Sequence, residues 1–312
     1  MNFQQLEYIV TLDSLKSFSK AAKVCHVTQA TLSAMVKKLE EELGIILFDR
    51  KTNPILTTDC GKEIVLEAKK ILLQAERLKD ISQEIQHKIE GKVRIGIIPT
   101  IASSLLPKIL SIILKKYPLL QLEIKEMITE TIISQLKEGN LDVGILATPL
   151  QKDEIEEEIL YYETLMIYGD MNEKKQYIAP EQLQNYKIWL LEEGNCLREQ
   201  AIELCQLQES AEIPKNLTFE ANSFDTLLNI VDEFGGLTLI PELYYQRLPQ
   251  ERKRKVSFFQ TPIPVREVSL VYYRPYAKLR IVKMLQEEIK THITSTLISA
   301  KYKKNELTIL HI

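Results

Sequence analysis

Histidine is scarce in this chain, with four in 312 residues. The four are scattered, there is no Cys-x-x-Cys pair, and no His/Cys cluster has zinc-like spacing. No metal centre and no cofactor are therefore expected. Positive charge is not in excess either. Lys and Arg number 40 against 43 Asp and Glu, a net charge of -3, and the pI is near 6.0. No global basic field advertises a nucleic-acid partner, so any such binding must come from a local patch. Long apolar runs are missing too: none reaches transmembrane length. The start, Met1-Asn2-Phe3-Gln4-Gln5-Leu6-Glu7, lacks a basic region followed by an apolar core, and a cytoplasmic protein without a membrane partner is expected. The chain does have length for two or three domains, and 45% of its residues are hydrophobic, ample for folded cores.

Of the four cysteines, Cys196 and Cys205 lie in one short segment. In a reducing compartment a pair of thiols is more often catalytic or redox-sensing than structural. Gly194-Asn195 is a helix start signal, and Leu197, Ala201 and Leu204 recur at helical spacing as an apolar stripe. Cys196 is then the first helical residue, where exposed N–H groups and the helix dipole lower a thiol pKa, and Arg198 adds positive charge nearby. The helix separates the two thiols by about 13 Å. A disulfide needs Cα atoms within about 7 Å, so the pair cannot bond while the helix stands, and oxidation would have to unwind it. On these residues alone, two unrelated buried cysteines remain the alternative, because free Cys packs as a small hydrophobe. Cys25 and Cys60 read as packing residues.

Residues 1–60 show three helices and a hairpin. Phe3, Leu6 and Ile9-Val10 give the first helix an apolar face, and residues 18–25 form a short second one. Thr28 caps a third with Leu32, Val36 and Leu39 on one side. This is a helix-turn-helix pattern, and the third helix would enter the groove. Its first turn offers Thr28, Gln29, Thr31 and Ser33 to base edges, with Lys37 and Lys38 as phosphate contacts. A solvated polar face is the other reading of that pattern. Ile45 to Phe48 and Ile55 to Thr57 flank a basic, Pro-containing turn that reads as a wing, with Arg50 and Lys51 near the backbone phosphates. The stretches Ser19-Lys20-Ala21-Ala22, Val27 to Ser33 and Lys38 to Arg50 closely resemble the LysR-type transcriptional regulators. That resemblance implies a winged helix-turn-helix, a linker helix for dimerisation, and a two-lobed α/β effector domain like a periplasmic binding protein. Ala30 departs slightly from the family pattern, where Pro or Ser is commoner.

Residues 61–89 read as one long helix opened by Gly61. Ile64, Leu72, Leu78 and Ile85 mark a narrow seam suited to a second copy of itself, and packing on the chain's own effector domain is the alternative. Residues 90–312 then alternate strand and helix, which argues for a parallel sheet with its ligand site at strand C-termini and helix N-termini. Thr100 and Thr129 occupy such positions, and capping their own helices is the simpler role. The acidic run 153–158 reads as a solvated connector, Trp189-Leu190-Leu191 and 217–220 as strands, 223–233 as a helix and 237–241 as a buried strand. Lobe I is expected to span about 90–163 and 268–300, and lobe II about 164–267. Glu251 to Lys255 reads as a charged surface loop without DNA contacts. The tail beyond Ile298 carries no signal.

Within the LysR-type group, Glu192 to Ala201 with Cys205, Ile98-Pro99-Thr100, Leu106-Pro107 and Glu126 to Thr129 resemble the OxyR peroxide sensors. The resemblance implies that hydrogen peroxide oxidises Cys196, that Cys205 resolves it to a disulfide, that Thr100 and Thr129 line the peroxide pocket, and that Arg266 lies near the thiol. It further implies promoter DNA, RNA polymerase and a homodimer or homotetramer as partners in a bacterial cytoplasm, and no enzymatic turnover. Asn195 departs from the histidine common there. Asn cannot exchange a proton near neutral pH. Two other readings stand beside this one: a regulator of the same fold that binds a metabolite between its lobes, and a thiol peroxidase.

Overall fold

A computed structural model describes residues 1–85, 89–150, 152–171, 177–192, 196–205, 221, 223–273 and 278–310. The chain divides into two compact units, Met1–Lys88 with Pro275–Lys278, and Ile89–Arg274 with Leu279–Ile312.

In the first unit, α1 (Phe3–Leu15), α2 (Phe18–Val24) and α3 (Gln29–Leu43) bury Leu6, Ile9, Leu12, Leu32, Val36 and Leu39 in one small core. Each start is capped as the sequence directs: Asn2, Ser17 and Thr28 each accept a hydrogen bond from the backbone N–H three residues on. Gly44 ends α3 at φ +70, where a side chain would be strained. Strands β1 (Phe48–Asp49) and β2 (Leu56–Thr57) pair antiparallel as the wing. The long helix α4 (Asp59–Ile85) starts before Gly61, which lies inside it. A Cβ on Gly61 would meet the Leu47 carbonyl oxygen at 2.2 Å, so glycine serves here as a close-approach residue rather than a helix opener.

In the second unit, β3 (Gly91–Ile97), α5 (Pro99–Lys116), β4 (Leu120–Glu126), α6 (Thr129–Lys137) and β5 (Val143–Thr148) form the parallel layer β4-β3-β5. Two long strands extend it. β6 (Ile155–Tyr168) begins inside the acidic run, so only the first two acids of that run precede the strand. Short β7 (Tyr177–Ile178), α7 (Cys196–Cys205), α8 (Phe224–Phe234), β8 (Thr238–Pro241), α9 (Glu242–Arg247), α10 (Gln250–Lys253) and β9 (Val256–Phe259) build the second lobe. The charged stretch after Pro249 is thus partly helical. β10 (Ile263–Tyr273) returns antiparallel to both β6 and β5, α11 (Leu279–Ile293) follows, and β11 (Leu307–Ile309) pairs parallel with the start of β10. β6 pairs with β10 up to Thr164 and with β8 and β9 from Leu165 onward, so it serves both lobes.

Trp189 to Leu191 do not form a strand. Single bridges, Ile188 with Leu237 and Leu191 with Ala221, take its place. The expected strand at 217–220 lies outside the described residues. No helix among the described residues is long and apolar enough to cross a membrane.

Candidate functional site: a DNA-reading helix and a buried thiol pocket

On the first unit, Thr28, Gln29, Thr31, Lys37 and Lys38 are exposed along α3, and Ser33 is half-buried. Thr28 is committed to the cap: its Oγ1 accepts from Thr31 N at 3.1 Å and lies 2.8 Å from Thr31 Oγ1. The Gln29 side chain makes no hydrogen bond to another described residue and is exposed. Arg50 does not extend outward as expected. Its Nη2 reaches Glu40 Oε2 at 2.6 Å, its Nη1 donates to Ser33 Oγ at 3.2 Å, and its guanidinium lies 5.3 Å from the Phe18 ring centre. Glu40 in turn accepts from Leu47 N and Phe48 N at 2.8 and 3.2 Å. Arg50 and Ser33 therefore brace the wing against α3. Lys38 and Lys51 remain as exposed cations without an ion pair among the described residues, and Lys37 only approaches Glu41 at 3.6 Å.

The linker seam is also divided. Val65 and Ala68 are buried in the head's own core, with Ile64 and Leu72 packed against it, a partner the periodicity did not suggest. Ile71 (39%) and Leu78 (71%) stay exposed, one heptad apart. The side chain of Ile85 lies outside the described part. Cys25 packs on that core, whereas Cys60 is exposed and is not a packing residue.

The thiol pocket lies in the second unit, where α5, α6, α7, β6 and β10 converge. Cys196 opens α7 and is buried, with its Sγ 2.8 Å from Thr129 Oγ1. Thr129 opens α6, yet its hydroxyl does not cap that helix; Ile128 is the N-cap and makes no side-chain bond. Thr100 behaves alike in the first turn of α5. Its Oγ1 and carbonyl accept from Arg266 Nη1 and Nη2 at 3.2 and 3.1 Å. Capping is therefore corrected for both threonines, whose hydroxyls turn to the site. Arg266 is fully buried on β10, and its Nε donates to the equally buried Glu163 on β6 at 2.6 Å. Leu243 N donates to the other Glu163 oxygen at 3.2 Å.

Electrostatics correct a second expectation. Burial pushes the Cys196 thiol pKa up, and the Thr129 hydrogen bond and the Arg266 charge offset this only in part. The thiol rests protonated despite its place at a helix start. The cation acting on the thiol is Arg266; Arg198 Nη1 donates to the Leu191 carbonyl at 3.0 Å. Cys205 lies at the other end of α7, fully buried in the second lobe's core, with burial pushing its thiol up to about 12. Both cysteines are free. Asn195 lies outside the described residues.

Sequence reasoning missed Glu163, though a lone acid within Leu160-Tyr161-Tyr162-Glu163-Thr164-Leu165 is a signal for a buried ion pair. It also missed Gln200, fully buried on α7, whose Nε2 reaches the Leu310 carbonyl at 3.5 Å. No group of three His, Cys, Asp or Glu among the described residues could hold a metal ion.

Comparison with known proteins places both parts of the chain in known families. Residues 3–62 match the model of the bacterial regulatory helix-turn-helix protein, lysR family, and residues 86–293 match that of the LysR substrate binding domain. A hydrogen peroxide-inducible genes activator of Dickeya chrysanthemi is 35% identical over 300 residues, which cover 94% of this chain and 96% of that protein. The DNA-binding transcriptional dual regulator OxyR of Escherichia coli is 35% identical over 286 residues, 90% of this chain and 92% of that one. Among solved structures, a full-length OxyR from Pseudomonas aeruginosa with a cysteine-to-aspartate substitution superposes with a TM-score of 0.78 at 29% identity. It covers 93% of this chain and 98% of its own. A Corynebacterium glutamicum OxyR cysteine-to-serine variant with hydrogen peroxide bound superposes with a TM-score of 0.61 at 26% identity, covering 97% and 98%. With a LysR-type reading head, a LysR substrate binding domain and 35% identity to these regulators over nearly the whole length, the chain belongs to the OxyR group of LysR-type transcriptional regulators.

Proposed function

We propose that this regulator senses hydrogen peroxide through Cys196 and Cys205 and passes the signal to DNA by remodelling α7. The observation that carries the reading is the 2.8 Å contact between Thr129 and the Cys196 sulfur in a pocket that also holds the buried Arg266. The Cys196 thiolate attacks one peroxide oxygen: an S–O bond forms, the O–O bond breaks, and the leaving hydroxide takes up the thiol proton as water. Hydroxyl and guanidinium donors stabilise the charge building on that oxygen. The Cys205 thiolate then attacks the sulfenic sulfur, an S–S bond forms, and a second water leaves. Two thiols and one peroxide thus become one disulfide and two waters. The sulfurs begin at opposite ends of α7, about 13 Å apart along its axis, so the second step requires the helix to unwind. Helix opening rather than a static pocket is the signal.

On DNA, Gln29 and Thr31 read base edges, while Lys37, Lys38 and Lys51 contact phosphates. Ile71 and Leu78 join two linker helices in a homodimer, which itself pairs on promoter DNA beside RNA polymerase in a bacterial cytoplasm. Thiol mass mapping after equimolar peroxide, with hydrogen exchange on both forms, tests the switch. The expected product is a Cys196–Cys205 disulfide with loss of backbone protection across Leu197 to Leu204. A disulfide formed without that loss, or one involving Cys25 or Cys60, would overturn it.

A further inference from the structure

After α11 the chain wraps the second unit as a strap. The Ile298 N–H donates to Glu242, and Ser299 Oγ donates to the Tyr162 carbonyl. β11 then pairs with Ile263 to Val265, and Leu310 enters the same core as Leu197, Ala201 and Cys205 of α7. Between this strap, the last turn of α11 and the stretch of β6 where the ladder shifts register opposite Val268/Ser269 lies a cavity of about 760 Å³. This is the size of a site for a drug-sized molecule. Ile159, Leu307 and Ile309 supply apolar lining, and Tyr302 adds an aromatic side chain. Lys290 and Lys304 also line it, both exposed and without an ion-pair partner among the described residues. The redox mechanism uses none of these residues.

We propose that this cavity is a second ligand site, one for a small amphipathic anion with an apolar body and one carboxylate. The apolar part lies against Ile159, Leu307 and Ile309, and the two ammonium groups receive the carboxylate. The size of the cavity sets the bulk of the ligand, and the two lysines in its lining set its charge. A ligand there braces the strap whose Leu310 carbonyl accepts from Gln200 of α7. It therefore favours the wound helix, and by reciprocity it binds the reduced form more tightly. That last step rests on the proposed unwinding of α7; the binding site itself does not.

Decanoate titrated calorimetrically into the full-length reduced protein tests this, with decanol as the uncharged control. Decanoate is expected to bind and decanol to bind more weakly. The double variant Lys290→Glu, Lys304→Glu, which alters only exposed side chains, is expected to lose about tenfold or more in decanoate affinity while its decanol affinity holds. Leu307→Trp, which fills the cavity, is expected to lose both ligands. Absence of decanoate binding, or binding indifferent to all three substitutions, overturns the site. So does a charge-reversed protein whose sedimentation mass falls while the parent ignores decanoate, because a second copy then covers the cavity. Equal decanoate affinity for reduced and peroxide-treated protein overturns the coupling alone, and Cys196→Ser must still bind decanoate whatever the fate of the redox reading.

Discussion

Replacing Thr129 with valine removes one hydroxyl and little else. The side chain is buried, the two residues are nearly equal in volume, and the α6 start does not depend on it, since Ile128 is the N-cap. What disappears is the 2.8 Å contact to Cys196 Sγ. In the protonated resting state that bond is an ordinary neutral one. It strengthens as the sulfur becomes a thiolate, because hydrogen bonds to charged groups contribute about 1.5–3 kcal/mol. At roughly 1.4 kcal/mol per factor of ten, Thr129→Val is expected to slow sulfenic acid formation about 10- to 150-fold. Because that hydroxyl holds the thiol pKa down against burial, the rate profile should also move to higher pH. Stopped-flow oxidation with hydrogen peroxide across pH 6 to 10 gives both numbers, and Thr129→Ser should restore them. A valine variant as fast as the parent, or slower with its pH midpoint unmoved, would refute the assignment of Thr129 as the thiolate's donor.

Glu163→Gln leaves the buried Arg266 uncompensated and is expected to destabilise the reduced protein by about 3–5 kcal/mol in urea melts; the unbalanced guanidinium should at the same time speed iodoacetamide alkylation of Cys196 at pH 7. Arg50→Ala should weaken binding to all DNA sequences with the salt slope nearly unchanged, because it loosens the wing, whereas Lys38→Ala should flatten the slope by about one ion, both read by fluorescence anisotropy. Leu78→Asp should shift sedimentation to a smaller species and weaken promoter binding, because each species then carries a single reading head. The Cys205 thiol, pushed up to about 12 when folded, ionises from about 9 in the unfolded chain. The folded state alone then keeps its proton, so stability holds below pH 9 and is lost as pH rises toward 12. Thermal melts of the reduced parent should fall more steeply above pH 9 than those of Cys205→Ala.

Local signals carried the reading head. A Thr28 cap followed by Leu32, Val36 and Leu39 specifies α3 without help from elsewhere, and the alternation through Val93, Ile95 and Ile97 specifies β3. The cysteine segment was legible too, with α7 beginning and ending on the two thiols. Pairing across long separations was not. Glu156 to Glu158 look like a solvated run, yet they belong to β6, paired along one side with β10, where half-exposed acids are tolerated. Trp189 to Leu191 have strand composition but only single bridges to pair with. The Glu163–Arg266 ion pair joins residues 103 apart, and nothing local in either one names the other. The Cys196 pKa failed for a related reason: the helix start is visible in sequence, but the desolvation that outweighs it comes from the surrounding fold.

The two strands that carry Glu163 and Arg266 pair antiparallel from Thr164/Val265 to Ile155/Tyr273, with one register shift between Val268 and Ser269, and β11 adds a third member at their root. On the Arg266 side of that shift the ribbon behaves mechanically like a leaf spring: it twists readily but resists folding at a point, because a sharp bend would break several ladder bonds together. One side of the thiol pocket is thus laddered strand, whereas Cys196 itself sits on a single ten-residue helix. Strain from the proposed Cys196–Cys205 bond would fall on that helix rather than on the ladder. On the proposed mechanism the laddered side therefore keeps its geometry through oxidation and reduction, and the pocket is ready for the next peroxide molecule as soon as the helix rewinds.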